Sequence, residues 1–281
     1  MKSIYPISAG IFLFLIQGIF HTATGQYYYK DIFSNQLTAN EQNSLKKAGI
    51  KKITLTSLDE NGEPKKDFFC EKKISKDYQR NTIHTRTVID GKSLMVIEFN
   101  TKGYPIQVYD SSEHLIKKTV YTYQHDTLPM SITTESTSRD DDFVNHNKEE
   151  HIYQYSSSGK LESLDVFIRG KSSNTVLFAT DEEGRIAVEK NLVTGLIYYY
   201  YYDENNRLTD IVHYSDVLGK MVLDYELTYE ENGNITRQIT TERGKNNFVV
   251  WKFEYEGSLK KTEDMYTKEG ELLGSIQYEY R

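Results

Sequence analysis

The sequence predicts an all-β fold: an antiparallel meander of tandem β-hairpins forming an extended, curled sheet, with one short N-terminal helix. Three observations carry this prediction. There are 23 tyrosines against 12 phenylalanines and one tryptophan, and tyrosine suits half-buried strands because it buries its ring while its hydroxyl reaches water. Apolar and polar residues alternate with period two at Tyr225, Leu227 and Tyr229, at Trp251, Phe253 and Tyr255, and at Ile276, Tyr278 and Tyr280. Such alternation packs one face and wets the other. Turn signals also recur at nearly constant spacing.

The 281-residue chain begins with an address. Lys2 precedes an apolar run, Gly10–Phe20, and small residues follow at Ala23 and Gly25. The run is too short to span a bilayer comfortably, and the small residues stand where a signal peptidase cuts. Residues 1–25 therefore read as a secretory signal peptide, cleaved between Gly25 and Gln26, in preference to a retained membrane anchor. The remaining chain has 33 basic and 41 acidic residues, net −8, which argues against a general nucleic-acid binder. A lone cysteine, Cys70, makes no intramolecular disulfide. A bacterial periplasmic or secreted setting follows, with stability supplied by core and sheet.

Residues 26–50 form an N-terminal segment. Within it Thr38-Ala39-Asn40-Glu41 matches a capping box and Gly49 suits a helix C-terminus, which predicts a short helix over 39–48. Residues 51–132 carry diverged strands, with Ile53 and Leu55 leading to Asn61-Gly62, and Met95, Ile97 and Phe99 leading to Lys102-Gly103. The polar stretch 133–150 predicts a long loop that interrupts the ladder.

Over 151–281 the ladder is regular. One turn series comprises Ser158-Gly159, Glu183-Gly184, Asn205-Asn206, Asn232-Gly233 and Glu256-Gly257, with second residues 25, 22, 27 and 24 apart. A second series, Arg169-Gly170, Thr194-Gly195, Leu218-Gly219, Arg243-Gly244 and Glu269-Gly270, trails it by 11 to 13 residues. A turn every 11 to 14 residues reads as strand, turn, strand, turn, repeated as hairpins. The run Tyr198–Tyr202 is one such strand. Tyr198, Tyr200 and Tyr202 share a face, Tyr199 and Tyr201 fill the other, and Asp203 opens the turn by accepting backbone amides. The two ends of such a sheet need capping, by residues 27–50 or by another chain.

This unit resembles the YD repeats of Rhs-like bacterial proteins, roughly aromatic-x-Tyr-Asp-x-x-Gly-Arg-Leu. Tyr200-Tyr201-Tyr202-Asp203-Glu204-Asn205-Asn206-Arg207-Leu208 matches with Asn206 for the glycine. Asp181 with Gly184-Arg185-Ile186, Tyr229-Glu230 with Gly233-Asn234-Ile235, and Tyr155 with Gly159-Lys160-Leu161 are diverged copies. The resemblance implies a secreted, curling antiparallel sheet. The chain is too short to enclose a cargo as the large members do, so no toxin-delivery role is implied.

Chemistry leaves few marks. No G-x-S-x-G, H-E-x-x-H, G-x-G-x-x-G, Walker-type or C-x-x-C motif occurs, and no cofactor is implied. Cys70 reads as a partly buried thiol. His146 and His151 are five apart, a spacing that puts two ligands on one face of neither helix nor strand. Asp140-Asp141-Asp142 lacks the alternating ligands of a calcium loop and reads as a charge run on a polar loop. The aromatic strands are the binding candidates: Tyr199 and Tyr201 as the more exposed pair, then Tyr198, Tyr200, Tyr202 and Trp251. They could stack on a glycan or offer a patch to a cell-envelope protein. The sequence thus reads as an exported, non-enzymatic binding module. Its alternatives are an outer-membrane or ligand-enclosing β-barrel, with membrane insertion disfavoured by polar partner strands such as Leu259–Met265, and a secreted hydrolase without a recognisable motif.

Overall fold

A computed structural model describes residues 26–89, 91–139, 146–241 and 247–281. The signal-peptide reading of 1–25 and the Asp140–Asp142 run lie outside them. Among the described residues eighteen strands run in sequence. The first nine are β1 (Lys52–Leu58), β2 (Phe69–Ile74), β3 (Arg80–Thr87), β4 (Gly91–Phe99), β5 (Pro105–Ser111), β6 (Leu115–Gln124), β7 (Leu128–Ser138), β8 (His146–Tyr155) and β9 (Leu161–Ile168). The rest are β10 (Lys171–Thr180), β11 (Ile186–Asn191), β12 (Ile197–Tyr202), β13 (Leu208–Ser215), β14 (Lys220–Tyr229), β15 (Ile235–Thr241), β16 (Phe248–Glu256), β17 (Leu259–Tyr266) and β18 (Leu272–Tyr280).

The expected open, curled sheet is wrong. Each strand pairs antiparallel with its sequence neighbours, and β1 pairs with β18 from Ile53↔Tyr280 to Leu58↔Ser275. The sheet closes into an 18-stranded barrel. Strongly twisted open sheets rarely exceed about ten strands, and closure removes both unpaired edges. At the seam the amides of Lys51 and Lys52 both donate to the Arg281 carbonyl, at 2.8 Å. The stretch 133–150, expected as a loop, is largely the facing arms of β7 and β8, paired from Ser131↔Ile152 to Thr137↔His146. Threonine and serine are acceptable strand residues when one face is wet.

The two turn series segregate to opposite ends. Among the described residues, turns after even-numbered strands form one rim and turns after odd-numbered strands the other, and the Arg243-Gly244 turn lies outside them. On the first rim the repeat acquires a physical meaning. Asp203 Oδ1 accepts the amides of Asn205 and Arg207, each at 2.9 Å, while its Oδ2 takes Arg207 Nε at 2.7 Å. Arg207 then lies 4.9 Å from the Tyr229 ring and donates to the Glu230 carbonyl in the next turn. Asp181 and Arg185 repeat this arrangement beneath Tyr202. In five even strands the last tyrosine donates to a carbonyl at the start of the preceding strand. The pairs are Tyr123 to Pro105, Tyr155 to Pro129, Tyr202 to Ile186, Tyr229 to Leu208 and Tyr280 to Lys260, at 2.6 to 2.9 Å. Aspartate, arginine and tyrosine therefore recur because each turn is tied to its neighbour.

The inward faces are mostly apolar and the lumen is filled by the chain's own N-terminal segment. A π-helical turn (Tyr28–Phe33) leads into helix α1 (Ser34–Ala48). Tyr29 packs with Ile132, Tyr153, Leu164, Tyr200 and Leu227, whereas Leu45 packs with Ile53, Cys70, Ile83 and Met95. Partners drawn from both sides of the ring place the segment inside it. The helix starts earlier than 39. Thr38 is an interior residue whose hydroxyl donates to the Ser34 carbonyl at 2.9 Å, so the apparent capping box is not a cap. The start is set from far away in sequence, by the carboxylate of Glu189. Gly49 does end the helix, at φ 77°, with the Ile50 amide on the Leu45 carbonyl at 3.0 Å.

Candidate functional site

Two buried polar centres hold the start of the segment in the lumen, and burial raises the pKa of the first, Glu189. Glu189, fully buried on β11, accepts the amides of Tyr27 and Tyr28 at 2.9 and 3.0 Å and the Tyr200 hydroxyl at 2.7 Å. On β8, His151 Nδ1 sits 2.6 Å from Asp31 Oδ2 and its Nε2 2.8 Å from Glu149 Oε1, while the Tyr153 hydroxyl donates to Asp31 at 2.5 Å. The Tyr27 ring stands edge-on to the imidazole. Burial alone would lower the His151 pKa. The carboxylates of Asp31 and Glu149 outweigh it and raise it to about 10. Nearby Lys117 runs the other way, lowered to about 7 by burial, against the opposing pull of Asp110, Glu149 and Asp31. An imidazole held as a cation near pH 7 is a poor general base. It is well suited to pairing with Asp31 and anchoring the segment.

The predicted binding tyrosines divide by face. Tyr198 and Tyr200 are buried, and Tyr202 is half-buried with its hydroxyl on the Ile186 carbonyl. Trp251 is buried opposite Gln238 and Met265. These four belong to the packed interior. On the outer wall Tyr199 is half-buried between Val188 and Val212, and Tyr201, opposite Asp210, is 52% exposed. His146 and His151 lie on opposite faces of β8, and no group of three or more metal-ligating side chains occurs among the described residues. Cys70 faces inward and is fully buried, 3.7 Å from the Thr85 hydroxyl, and burial pushes its thiol up to about 11, a poor nucleophile.

The outer wall is charged. Lys73, Arg86, Lys118, Glu135, Lys190 and Glu254 are exposed on strands all around the ring. A shallow concavity of about 290 Å³ lies on this wall, lined by Arg237, Val250, Lys252, Tyr266 and Lys268.

What the sequence reading missed is the rim formed by the second turn series. Val88 and Ile89 protrude between β3 and β4, Leu192 and Val193 between β11 and β12, and Val217 and Leu218 between β13 and β14. Val217 is 96% exposed. Tyr214 and Met221, paired across β13 and β14, are both exposed below the same turn. The signal was present in Leu218-Gly219, an apolar residue where turn chemistry favours a polar one.

No protein-family model matches the chain, and no curated protein matches it. Among solved structures it is similar to a porin-like protein from Bacteroides uniformis, at 11% identity over 83% of this chain and 98% of that one, with a TM-score of 0.38. A porin-like protein from Bacteroides vulgatus is similar at 13% identity over 83% and 98%, TM-score 0.29. The TcdB2-TccC3-TEV structure is similar at 16% identity over 74% of this chain, TM-score 0.36, and the chain spans 12% of that one. At such TM-scores these likenesses assign neither a family nor an activity.

Proposed function

We propose that this is an exported, non-enzymatic barrel module of the bacterial cell envelope or exterior, and that it engages a protein partner through its apolar rim. A lumen occupied by residues 26–50 supports no passage of solute or cargo. A wall bearing lysine, arginine and glutamate on successive strands would cost about 2–4 kcal/mol for each Lys or Arg at a bilayer midplane, so the barrel sits in water.

One observation carries the partner reading. Leu192, Val193, Tyr214, Val217, Leu218 and Met221 lie on two neighbouring hairpins at one end of the molecule, all exposed. Monomers rarely leave such apolar residues together without a use, and tyrosine and methionine are enriched where proteins dock. A glycan reading keeps narrower footing on the outer wall, at Tyr201 with Tyr199.

The test places a photo-reactive residue at Val217, and separately at wall position Thr56, in producing cells. The rim reading expects a discrete adduct of one partner mass at Val217, absent at Thr56 and lost in Leu218→Asp/Met221→Asp. Equal labelling at both positions contradicts it. An adduct of twice the chain mass makes the partner a second copy. In parallel, retention on peptidoglycan or a polysaccharide that Tyr199→Ala/Tyr201→Ala loses would move the site to the wall.

A further inference from the structure

The chain enters the lumen at Gln26, and the surroundings of that residue are unusual for a point inside a continuous chain. Gln26 is buried, at 6% exposure. Its backbone nitrogen is the third consecutive amide donating to Glu189, after those of Tyr27 and Tyr28. With the Tyr200 hydroxyl, these partners of a fully buried carboxylate are all neutral, although burying a carboxylate is costly without a counter-charge. Gln26 also has φ 63°, a left-handed conformation that a non-glycine residue adopts only at a cost. Independently, the small residues Ala23 and Gly25 put an export cleavage site directly before this residue.

We infer that the working N-terminus of the protein is the α-ammonium of Gln26, and that cleavage creates an ion pair with Glu189 that locks the N-terminal segment in the barrel. The inference rests on the export reading proposed above. Cleavage acts on the exported chain before it folds. Water adds across the Gly25–Gln26 amide under an export peptidase, Gly25 leaves as a carboxylate, and the nitrogen stays on Gln26 and takes up a proton. Two consequences follow together. A neutral amide donor becomes a charged one, roughly doubling the strength of its hydrogen bond, and the left-handed φ loses its meaning once residue 25 is gone. The free amine of N-terminal glutamine is also withheld from cyclisation onto its own side chain while it is held by Glu189.

The test compares the chain 26–281, released from a fusion to leave Gln26 first, with the same chain carrying Ala23-Thr24-Gly25. At pH 6.5 the released chain is expected to melt several degrees higher. An α-amino group ordinarily titrates at about 7.7–8.0, and pairing with Glu189 raises that value. The advantage therefore fades as pH rises through the raised α-amino pKa, and it is also lost on the acid side as Glu189 protonates, since burial raises that carboxyl above its ordinary range. Glu189→Gln in both chains should erase the difference; should that variant not fold, Nα-acetylation of the released chain is the second probe and should bring its melting down to that of the extended chain. Equal melting of released and extended chains, or an acetylated chain as stable as the free one, overturns the lock. Failure of the export reading shows separately: the protein purified from its native cells would then have the mass of a chain retaining residues 1–25.

Discussion

Removing residues 26–50 is expected to abolish cooperative folding of the barrel. Tyr27, Tyr28, Tyr29, Ile32, Phe33 and Leu45 all pack against inward-facing side chains. Tyr29 and Leu45 are buried and the other four half-buried, so at about 1.5–3 kcal/mol for each large apolar side chain fully buried and about half that for the rest, the six supply on the order of 10 kcal/mol, comparable to the whole stability of an ordinary domain. Their loss also leaves Glu189 and His151 facing a void instead of the amides of Tyr27 and Tyr28 and the carboxylate of Asp31. Residues 51–281 alone should show β-type circular dichroism without a sharp urea transition. A cooperative transition near that of the longer chain would mean that the segment is an appendage, and the filled lumen would no longer be needed for stability.

Asp31→Ala is expected to cost about 3–5 kcal/mol, the usual penalty for removing one partner of a buried ion pair. His151 would keep only Glu149, whose side chain is 42% exposed, and the Tyr153 hydroxyl would lose its acceptor. The pH dependence identifies the charge behind the effect. Because the His151 pKa is raised from 6.5 to about 10, its stabilising contribution is full below about pH 6.5 and is lost as pH rises through about 10. Lys117, lowered to about 7, contributes with the opposite slope between about 7 and 10.5, so the total profile alone does not isolate either group. The informative quantity is the stability difference between the natural chain and His151→Gln. It should shrink between pH 6.5 and 10; a constant difference would assign His151 a packing role only.

Much of the wall was legible because it is local. Alternation at Tyr225–Tyr229 and Trp251–Tyr255 identified strands, and turn pairs such as Asn232-Gly233 marked their ends. The same local logic explains Tyr198–Tyr202: the alternate rings Tyr198 and Tyr200 fill the core, and Tyr201 meets water. What could not be read were relations between distant residues. Closure depends on β1 meeting β18 across more than two hundred positions, and nothing in TLTSL or IQYEY names the other as partner. The true start of the helix depends on Glu189, 162 residues from Tyr27, so the local match at Thr38–Glu41 misplaced it. The alternation did place Trp251 and Phe253 on a packed face, and both are buried. An alternating strand such as Tyr198–Tyr202 shows that one face is buried without showing that the chain's own N-terminal segment covers it.

Closure of the sheet is the claim on which the rest depends, and the lone buried cysteine makes it directly measurable. Thr56 on β1 and Gln277 on β18 are directly opposite and both exposed on the outer wall. In a Thr56→Cys/Gln277→Cys variant, mild oxidation should yield an intramolecular disulfide in nearly every molecule, independent of protein concentration. Two thiols that stay reduced, or that pair only between molecules, would mean that β1 and β18 are separate edges of an open sheet.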